Sequence, residues 1–179
     1  MDLEFDFSLS FKEFYFMAIH MNFEYMDYSY FADLNGVQKN FELFKENCAW
    51  SLDERGLAEV DYDGNVIWID ENLEAALEPV FYGKQECAVI IGEDSFKIHI
   101  DGDKMTLIKA ESEIMIKTID ISVLAELLRG KTFEIRSSHI DKGIYKEQFV
   151  DEELEADKLA AGLYNILSGN CYMARRNDK

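Results

Sequence analysis

Residues 86–119 of this 179-residue chain read ECAVIIGEDSFKIHIDGDKMTLIKAESEIMIKTI. Four apolar runs alternate with short polar turns here, at Glu86–Ile91, Ser95–Ile100, Lys104–Lys109 and Glu113–Ile119. Asp101-Gly102 is typical of a tight hairpin turn, because glycine adopts the positive φ angles that such turns require. The stretch therefore predicts an antiparallel meander of four strands, which we expect to form the central sheet.

The region after the meander predicts further helices and strands. A short helix is expected from Ser122 to Arg129, followed by strands at Thr132–Ser137 and Ile144–Phe149. From Asp151 to about Ser168 the apolar residues recur at helical spacing, and Gly169 is a typical stop residue. We therefore expect a long helix as the last element.

The region before the meander begins with two predicted helices. Ser10 and Glu13 have the spacing of a capping box, which indicates a helix from Ser10 to Met21. A second helix is expected to start near Asn35 and to stop at Gly56. Leu57 would then fold back onto Leu52, as in a Schellman cap.

A hairpin is predicted after the second helix, from Ala58–Tyr62 and Asn65–Ile69 around Asp63-Gly64. Asp70 can cap a short helix that Pro79 helps to end. The order helix, helix, hairpin is that of a winged helix.

The expected fold class is α+β, with an antiparallel central sheet flanked by helices and a winged-helix-like N-terminal half. Because no Gly-, Ser- or Pro-rich linker interrupts the chain, we expect residues 1–179 to form one compact domain. Within that domain, residues 1–80 would be a helical half with a β-hairpin. Residues 81–179 would be the antiparallel meander with its helices.

The charge of the chain excludes several classes of partner. Acidic residues number 36 against 18 basic ones, so the net charge is -18. Nucleic acids and anionic membranes bind proteins chiefly through Lys and Arg, so we expect neither as a partner. Hydrophobic residues make up 48% of the chain, which is enough for a folded core and argues against disorder. An acidic start at Met1–Asp6 and the absence of a long apolar run predict a cytoplasmic protein.

The sequence contains no group of reactive residues that would predict an enzyme, a metal site or a cofactor. Asp61, Asp63, Asn65, Asp70 and Glu71 gather oxygen ligands, but the segment has the pattern of strand, turn and strand and lacks the helix-flanked loop of an EF-hand. A solvated turn is therefore the preferred interpretation.

The histidines and cysteines also lack the spacing of a site. His20, His99 and His139 lie on different predicted elements, and Ser137-Ser138 beside His139 is only an adjacency in sequence. The three cysteines are far apart and odd in number, so we expect reduced and mostly buried thiols at Cys48, Cys87 and Cys171.

Aromatic residues are concentrated in one short stretch near the N-terminus, at Phe14, Tyr15, Phe16, Phe23, Tyr25, Tyr28, Tyr30 and Phe31. Two interpretations remain open. These side chains fill the core between the first two helices, or they anchor a protein interface, because aromatic side chains bury a large area at little entropic cost. A solvated sheet face or an open sheet edge is the other candidate binding surface.

Part of the sequence resembles a known family. The segments SFKEFYFMAIHM, LDERGLAEVDYDGNVIWIDENLEAALEPV and QECAVII resemble the opening of the ESX secretion-associated EspG proteins and their relatives. The shared pattern is an apolar helix ending in Leu-x-x-Arg-Gly-Leu, an acidic turn, and a helix near a proline. Here it is carried by Leu52, Arg55, Gly56, Leu57, Gly64, Leu73, Leu77 and Pro79.

This resemblance implies a cytoplasmic chaperone of type VII (ESX) secretion that keeps a small helical substrate soluble before export. It supplies no partner-binding residues, because no binding motif of the family matches here. Three hypotheses follow: a non-catalytic adaptor or chaperone for a helical protein, an acidic immunity or antitoxin-type inhibitor of a protein toxin, and an enzyme that uses scattered carboxylates. The first is the leading prediction, with no cofactor and no metal.

Overall fold

The fold is α+β. The computed structural model describes residues 3–23, 28–31, 37, 40–129, 131, 133–141, 144–147, 151–153 and 173–176. These residues form four α-helices: α1 (Phe11–His20), α2 (Phe41–Glu54), α3 (Glu71–Tyr82) and α4 (Ile121–Leu128). A 3-10 turn also occupies Tyr28–Phe31. None of the helices in the described ranges is both long enough and apolar enough to cross a bilayer.

The described strands form one large sheet and one separate hairpin. The large sheet contains β1 (Phe7–Leu9), β4 (Gln85–Ile91), β5 (Asp94–Asp101), β6 (Lys104–Ala110), β7 (Ile114–Ile119), β8 (Phe133–Asp141), β9 (Ile144–Glu147), β10 (Asp151–Glu153) and β11 (Met173–Arg176). Its order is β1-β7-β6-β5-β4-β8-β11-β10, with β9 also paired to β8. The hairpin consists of β2 (Ala58–Val60) and β3 (Val66–Ile69).

The predicted meander is confirmed. Strands β4 to β7 pair in sequence order, and each pair is antiparallel. The predicted hairpin, the helix after Ser122 and the strands after Thr132 and Ile144 are also present. The sheet is therefore antiparallel throughout its centre.

Strand alternation divides the core between the two faces of the sheet. Cys87 and Val89 of β4 belong to the cluster under α4. Phe14 of α1 and Phe81 of α3 pack on the other face, with their ring centroids 5.2 Å apart. Because side chains alternate along a strand, Glu86 and Ala88 point to this second face.

Two elements of the large sheet differ from the sequence-based prediction. Strand β1 was not predicted, and it pairs with the edge of β7 with Phe7 opposite Ile116. The predicted start of the last helix at Asp151 is wrong, because Asp151–Glu153 form β10, parallel to β11. Pairing at a sheet edge gives these residues backbone partners that helical spacing cannot reveal. Residues 154–168 of that predicted helix lie outside the described residues.

Local capping interactions set the helix ends. Glu13 N donates to Ser10 Oγ at 3.2 Å and Ser10 N donates to Glu13 Oε2 at 2.7 Å, so the predicted capping box is confirmed. The predicted start of α2 near Asn35 is wrong. The helix begins at Phe41, because Asn40 accepts a hydrogen bond from Leu43 N and acts as the N-cap.

The predicted Schellman cap at the end of α2 is confirmed. Gly56 has φ +69°, its N–H donates to Asp53 O at 2.8 Å, and Leu57 N donates to Leu52 O at 2.9 Å. These are the two hydrogen bonds of that motif. The chain therefore reverses directly from α2 into the hairpin.

Pro79 does not end α3, which continues to Tyr82. The prediction is wrong by about one turn because Val80 and Phe81 are buried in the core, and their burial outweighs the hydrogen bond that proline cannot make. The turn after the helix passes close to the sheet. A Cβ added to Gly83 would lie 2.2 Å from Pro79 O and 2.5 Å from Ile100 O, so only glycine fits there.

The carboxylate of Glu13 joins three segments of the N-terminal half. Its Oε1 accepts hydrogen bonds from Ser51 Oγ at 2.8 Å and from Arg55 Nη2 at 2.9 Å. Arg55 Nη1 also donates to Ser8 O at 2.8 Å. Glu13 is only 5% exposed, so this charge is stable only with its partners in place.

We expect Glu13→Ala to lower the free energy of unfolding by about 2–4 kcal/mol, because it leaves Arg55, Ser51 and the Ser10 N–H without their acceptor. Urea denaturation monitored by circular dichroism measures the change. The matched control is Glu42→Ala, which removes only an exposed ion pair to Lys45 and should cost no more than about 0.5 kcal/mol. Equal losses in the two variants would contradict the role assigned to Glu13.

Candidate functional site

Exposed apolar side chains are concentrated on α2 and the hairpin. Seven large hydrophobic side chains are exposed in the described part of the chain. Phe23 lies elsewhere, and the other six are Phe41, Leu43, Trp50, Tyr62, Ile67 and Trp68. Single exposed apolar residues are normal, whereas a group of them marks an interaction surface.

Helix α2 carries apolar side chains on two opposite faces. Phe44, Cys48 and Leu52 follow each other at helical spacing and are buried. Leu43 and Trp50 are seven residues apart, which places them together on the outward face. They are 49% and 41% exposed. The outward stripe is therefore not used by the core.

The hairpin exposes its side chains because its register contains an irregularity. Ala58 pairs with Ile69 and both are buried, whereas Glu59 pairs with Trp68 on the outward face. The register shifts between Glu59 and Val60, which leaves Ile67 without a partner opposite it on β2. Ile67 is 64% exposed.

The hairpin turn is closed by Asp61. Its Oδ1 accepts from the backbone N of Asp63 at 3.0 Å and of Asn65 at 2.8 Å, and these hydrogen bonds, with those from the Asn65 side chain, hold the pKa of Asp61 below its usual value. The carboxylate of Asp61 is thus used within the turn, and the segment has the predicted arrangement of strand, turn and strand. Tyr62, at the tip, is fully exposed.

The turn packs against α2. A Cβ added to Gly64, which has φ +75°, would lie 3.0 Å from Glu46 Cγ. The hairpin turn therefore lies beside α2 at Glu46. We call the exposed apolar side chains of these two elements the α2–hairpin surface and define it by Leu43, Trp50, Tyr62, Ile67 and Trp68.

This surface lies in the most acidic part of the described chain. Residues 40–80 contain eleven acidic and two basic residues. Both basic side chains are engaged with carboxylates: Lys45 with Glu42 at 2.7 Å and Arg55 with Glu13 at 2.9 Å. The exposed apolar side chains of this surface therefore lie in a segment with a net charge of -9, from eleven acidic and two basic residues.

Part of the N-terminal aromatic run belongs to the core, whereas Phe23 is 39% exposed. Phe14, Phe16 and Tyr30 are at most 5% exposed, so the core interpretation is confirmed for these residues. Tyr25 lies outside the described residues. The exposed aromatic side chains of the α2–hairpin surface are instead Trp50, Tyr62 and Trp68, which were not predicted from the sequence.

A polar cluster lies between β4, β5 and the 3-10 turn. Glu86 and His99 are register partners on the sheet. Tyr30 Oη lies 2.9 Å from His99 Nε2, and Glu86 Oε2 lies 3.8 Å from His99 Nδ1. Lys97 Nζ lies 3.5 Å from Glu86 Oε1, 3.2 Å from Ser29 Oγ and 5.1 Å from the centroid of the Tyr30 ring. The cluster ties the 3-10 turn to the sheet.

Burial controls the protonation of this cluster. Burial, and then the charge of Lys97, lowers the pKa of His99 to about 3, and burial lowers the pKa of Lys97 to about 8. The carboxylate of Glu86, the imidazole of His99 and the hydroxyl of Tyr30 lie in series. Tyr30 is 1% and His99 5% exposed, so a substrate has no access to these two side chains. The arrangement is structural.

The remaining sequence candidates do not converge. His20 ends α1 and stacks on Phe16, the side chain of His139 lies outside the described residues, and no group of three or more His, Cys, Asp or Glu in the described ranges is arranged to hold a metal ion. Cys48 and Cys87 are buried, as predicted, while Cys171 lies outside the described residues. Burial, followed by the charge of Glu13, raises the pKa of Cys48 to about 12. This thiol is therefore protonated at neutral pH and is a poor nucleophile.

No known protein-family model matches this sequence, and no curated protein matches it significantly.

We expect acid to destabilise the protein through His99. Its folded-state pKa of about 3 lies below the unfolded value of 6.5, so between these values the unfolded chain binds a proton that the folded chain does not. Stability is retained above pH 6.5 and falls as the pH decreases toward 3. Between pH 7 and pH 5 this loss should be about 2 kcal/mol.

Urea denaturation at both pH values, compared between the parent protein and His99→Gln, isolates this contribution. Between pH 7 and pH 5 the free energy of unfolding of the variant should fall by about 2 kcal/mol less than that of the parent. His20→Gln, which changes an exposed histidine, is the control and should behave as the parent does. An unchanged pH dependence in His99→Gln would show that His99 is not held neutral.

Proposed function

We propose that this protein is a non-catalytic adaptor or chaperone that binds another protein through the α2–hairpin surface. The observation that carries the proposal is that Leu43, Trp50, Tyr62, Ile67 and Trp68 are exposed together in the most acidic part of the described chain. Trp and Tyr are the residues that most often anchor protein interfaces. Burial of the exposed part of each tryptophan would contribute on the order of 2 kcal/mol to binding.

The narrower proposal is that the partner is a small helical type VII secretion substrate, held soluble in the cytoplasm before export. It is supported by the resemblance of the first half to EspG proteins. The order α1, α2, β2–β3 hairpin also supports the comparison with a winged helix. In this chain the hairpin carries acidic residues and no Lys or Arg, which favours a protein-binding role for the wing.

The second candidate is an immunity or antitoxin-type inhibitor. The excess of acidic residues between 40 and 80 favours it, because a negative surface can cover the basic active site of a nuclease-like toxin. Both candidates use the same surface. They differ in the partner, which is a helical cargo in one case and a toxic enzyme in the other.

We expect this protein to form a stable complex when it is co-expressed with the small helical proteins encoded beside it. Trp50→Ala and Trp68→Ala should each weaken that complex by at least tenfold, as expected for aromatic interface anchors. Isothermal titration calorimetry on the purified proteins measures the change.

The matched control is Phe23→Ala. Phe23 is 39% exposed, close to the value for Trp50, but lies outside the α2–hairpin surface. Its substitution should leave the affinity unchanged. A complex that tolerates both tryptophan substitutions would refute this surface, and relief of toxicity from a neighbouring gene would support the inhibitor instead.

A further inference from the structure

A cavity of about 280 Å³ opens between α1 and α2 at the first turns of α2. It is lined by Lys12, Val37, Asn40, Leu43, Phe44, Asn47 and Cys48. The polar lining residues Lys12, Asn40 and Asn47 are exposed. Val37, Phe44 and Cys48 are buried, whereas Leu43 is 49% exposed. The cavity is therefore apolar inside and polar at its opening.

The size of the cavity limits what it can hold. Small-molecule sites usually have volumes of roughly 300–1,000 Å³, so this cavity is at or below the lower limit for a metabolite. A dry apolar cavity of roughly 150 Å³ already admits a benzene ring. The dimensions thus suit one aromatic or branched aliphatic side chain.

The wall of the cavity is held by packing that does not depend on a ligand. The ring of Phe44 lies 5.9 Å from the ring of Tyr15 on α1 and stacks at 5.9 Å on Phe41. Asn40, which also borders the cavity, uses its side chain to cap α2. A pre-formed cavity lowers the entropic cost of binding, because little has to be ordered on association.

The cavity is continuous with the α2–hairpin surface. Leu43 belongs to both, and Asn47 lies between Leu43 and Trp50 on the outward face of α2. Leu43 and Trp50 are separated by about 10 Å along the helix axis. A second helix laid along α2 would meet the cavity and Trp50 with side chains seven residues apart.

We propose that this cavity receives a single large apolar side chain from a basic amphipathic helix of the partner, laid along α2 with a second apolar residue seven positions away on Trp50. The inference rests on the proposed function and adds the chemistry of the partner. The negative charge of α2 favours a basic helix as the partner, because Glu42, Glu46 and Glu54 lie exposed on α2. They attract Lys and Arg, and they repel the equally acidic surface of a second copy of this chain.

A designed peptide serves as the probe. It is a lactam-stapled 14-residue helix with lysines on its outer face and with Trp and Leu seven residues apart on its inner face. Replacing that Trp by Ala should weaken binding by roughly tenfold or more, since a centrally buried anchor carries most of the affinity. Replacing the lysines by glutamates should abolish binding, and added salt should weaken it.

Substitutions at Asn47 of the protein test whether the Trp side chain of the peptide binds in the cavity. Asn47→Trp places a ring over the mouth of the cavity and should abolish the preference of the protein for the Trp peptide over the Ala peptide. Asn47→Ala removes the same amide without filling the mouth and should keep that preference. Equal unfolding midpoints in urea show that both variants are folded. Methyl NMR signals of Val37 and Leu43 should shift when the peptide, or indole alone, is added to the parent protein.

The outcomes separate this inference from the proposed function. If the natural partner binds and Trp50→Ala weakens it, but Asn47→Trp has no effect and the Val37 methyls do not move, the cavity is not the anchor site while the proposed function stands. Dimerisation through this face in place of peptide binding would also overturn the inference. If neither the peptide nor the helical partner binds, both proposals fail.

Discussion

The buried carboxylate of Glu13 is the interaction on which the N-terminal half depends. It caps α1 through the Ser10 N–H, and its other oxygen accepts hydrogen bonds from Ser51 and Arg55 near the end of α2. Arg55 in turn donates to Ser8 O at β1, the strand that pairs with β7. One charge therefore fixes two helices relative to the edge of the central sheet. It also sets the direction in which the chain leaves α2, and hence the position of the hairpin against that helix.

The parts of the fold that could be predicted from sequence are those determined by neighbouring residues. The capping box at Ser10, the Schellman cap at Gly56 and the Asp-Gly turns require only local hydrogen bonds and positive φ angles. Strand β1 could not be predicted, because three residues carry little periodicity and their pairing with β7 joins positions more than a hundred residues apart. The continuation of α3 past Pro79 is similar. It depends on the burial of Val80 and Phe81, which is a tertiary effect.

The candidate site was only partly predictable. The excess of acidic residues predicted a protein partner, but aromatic density pointed to residues 14–31, where Phe14, Phe16 and Tyr30 are buried in the core. Two signals in the sequence could have located the surface. Leu43 and Trp50 are apolar residues on the polar face of an amphipathic helix, and Val66–Ile69 is a strand without alternation. Neither signal places the two elements side by side, because the Gly64 turn meets α2 at Glu46 through a tertiary contact.

Negative charge and exposed apolar area act together on the α2–hairpin surface. A surface that exposes two tryptophans would normally favour aggregation, since apolar groups on different copies attract one another. The net charge of -18 opposes this, because every copy carries the same acidic residues beside its apolar ones. A partner of opposite charge gains both the apolar and the electrostatic attraction. A second copy gains only the apolar attraction and is repelled by the like charge. The acidic residues that oppose association between copies would therefore also determine which partner binds this surface. High salt should weaken both the repulsion between copies and the attraction of a basic partner.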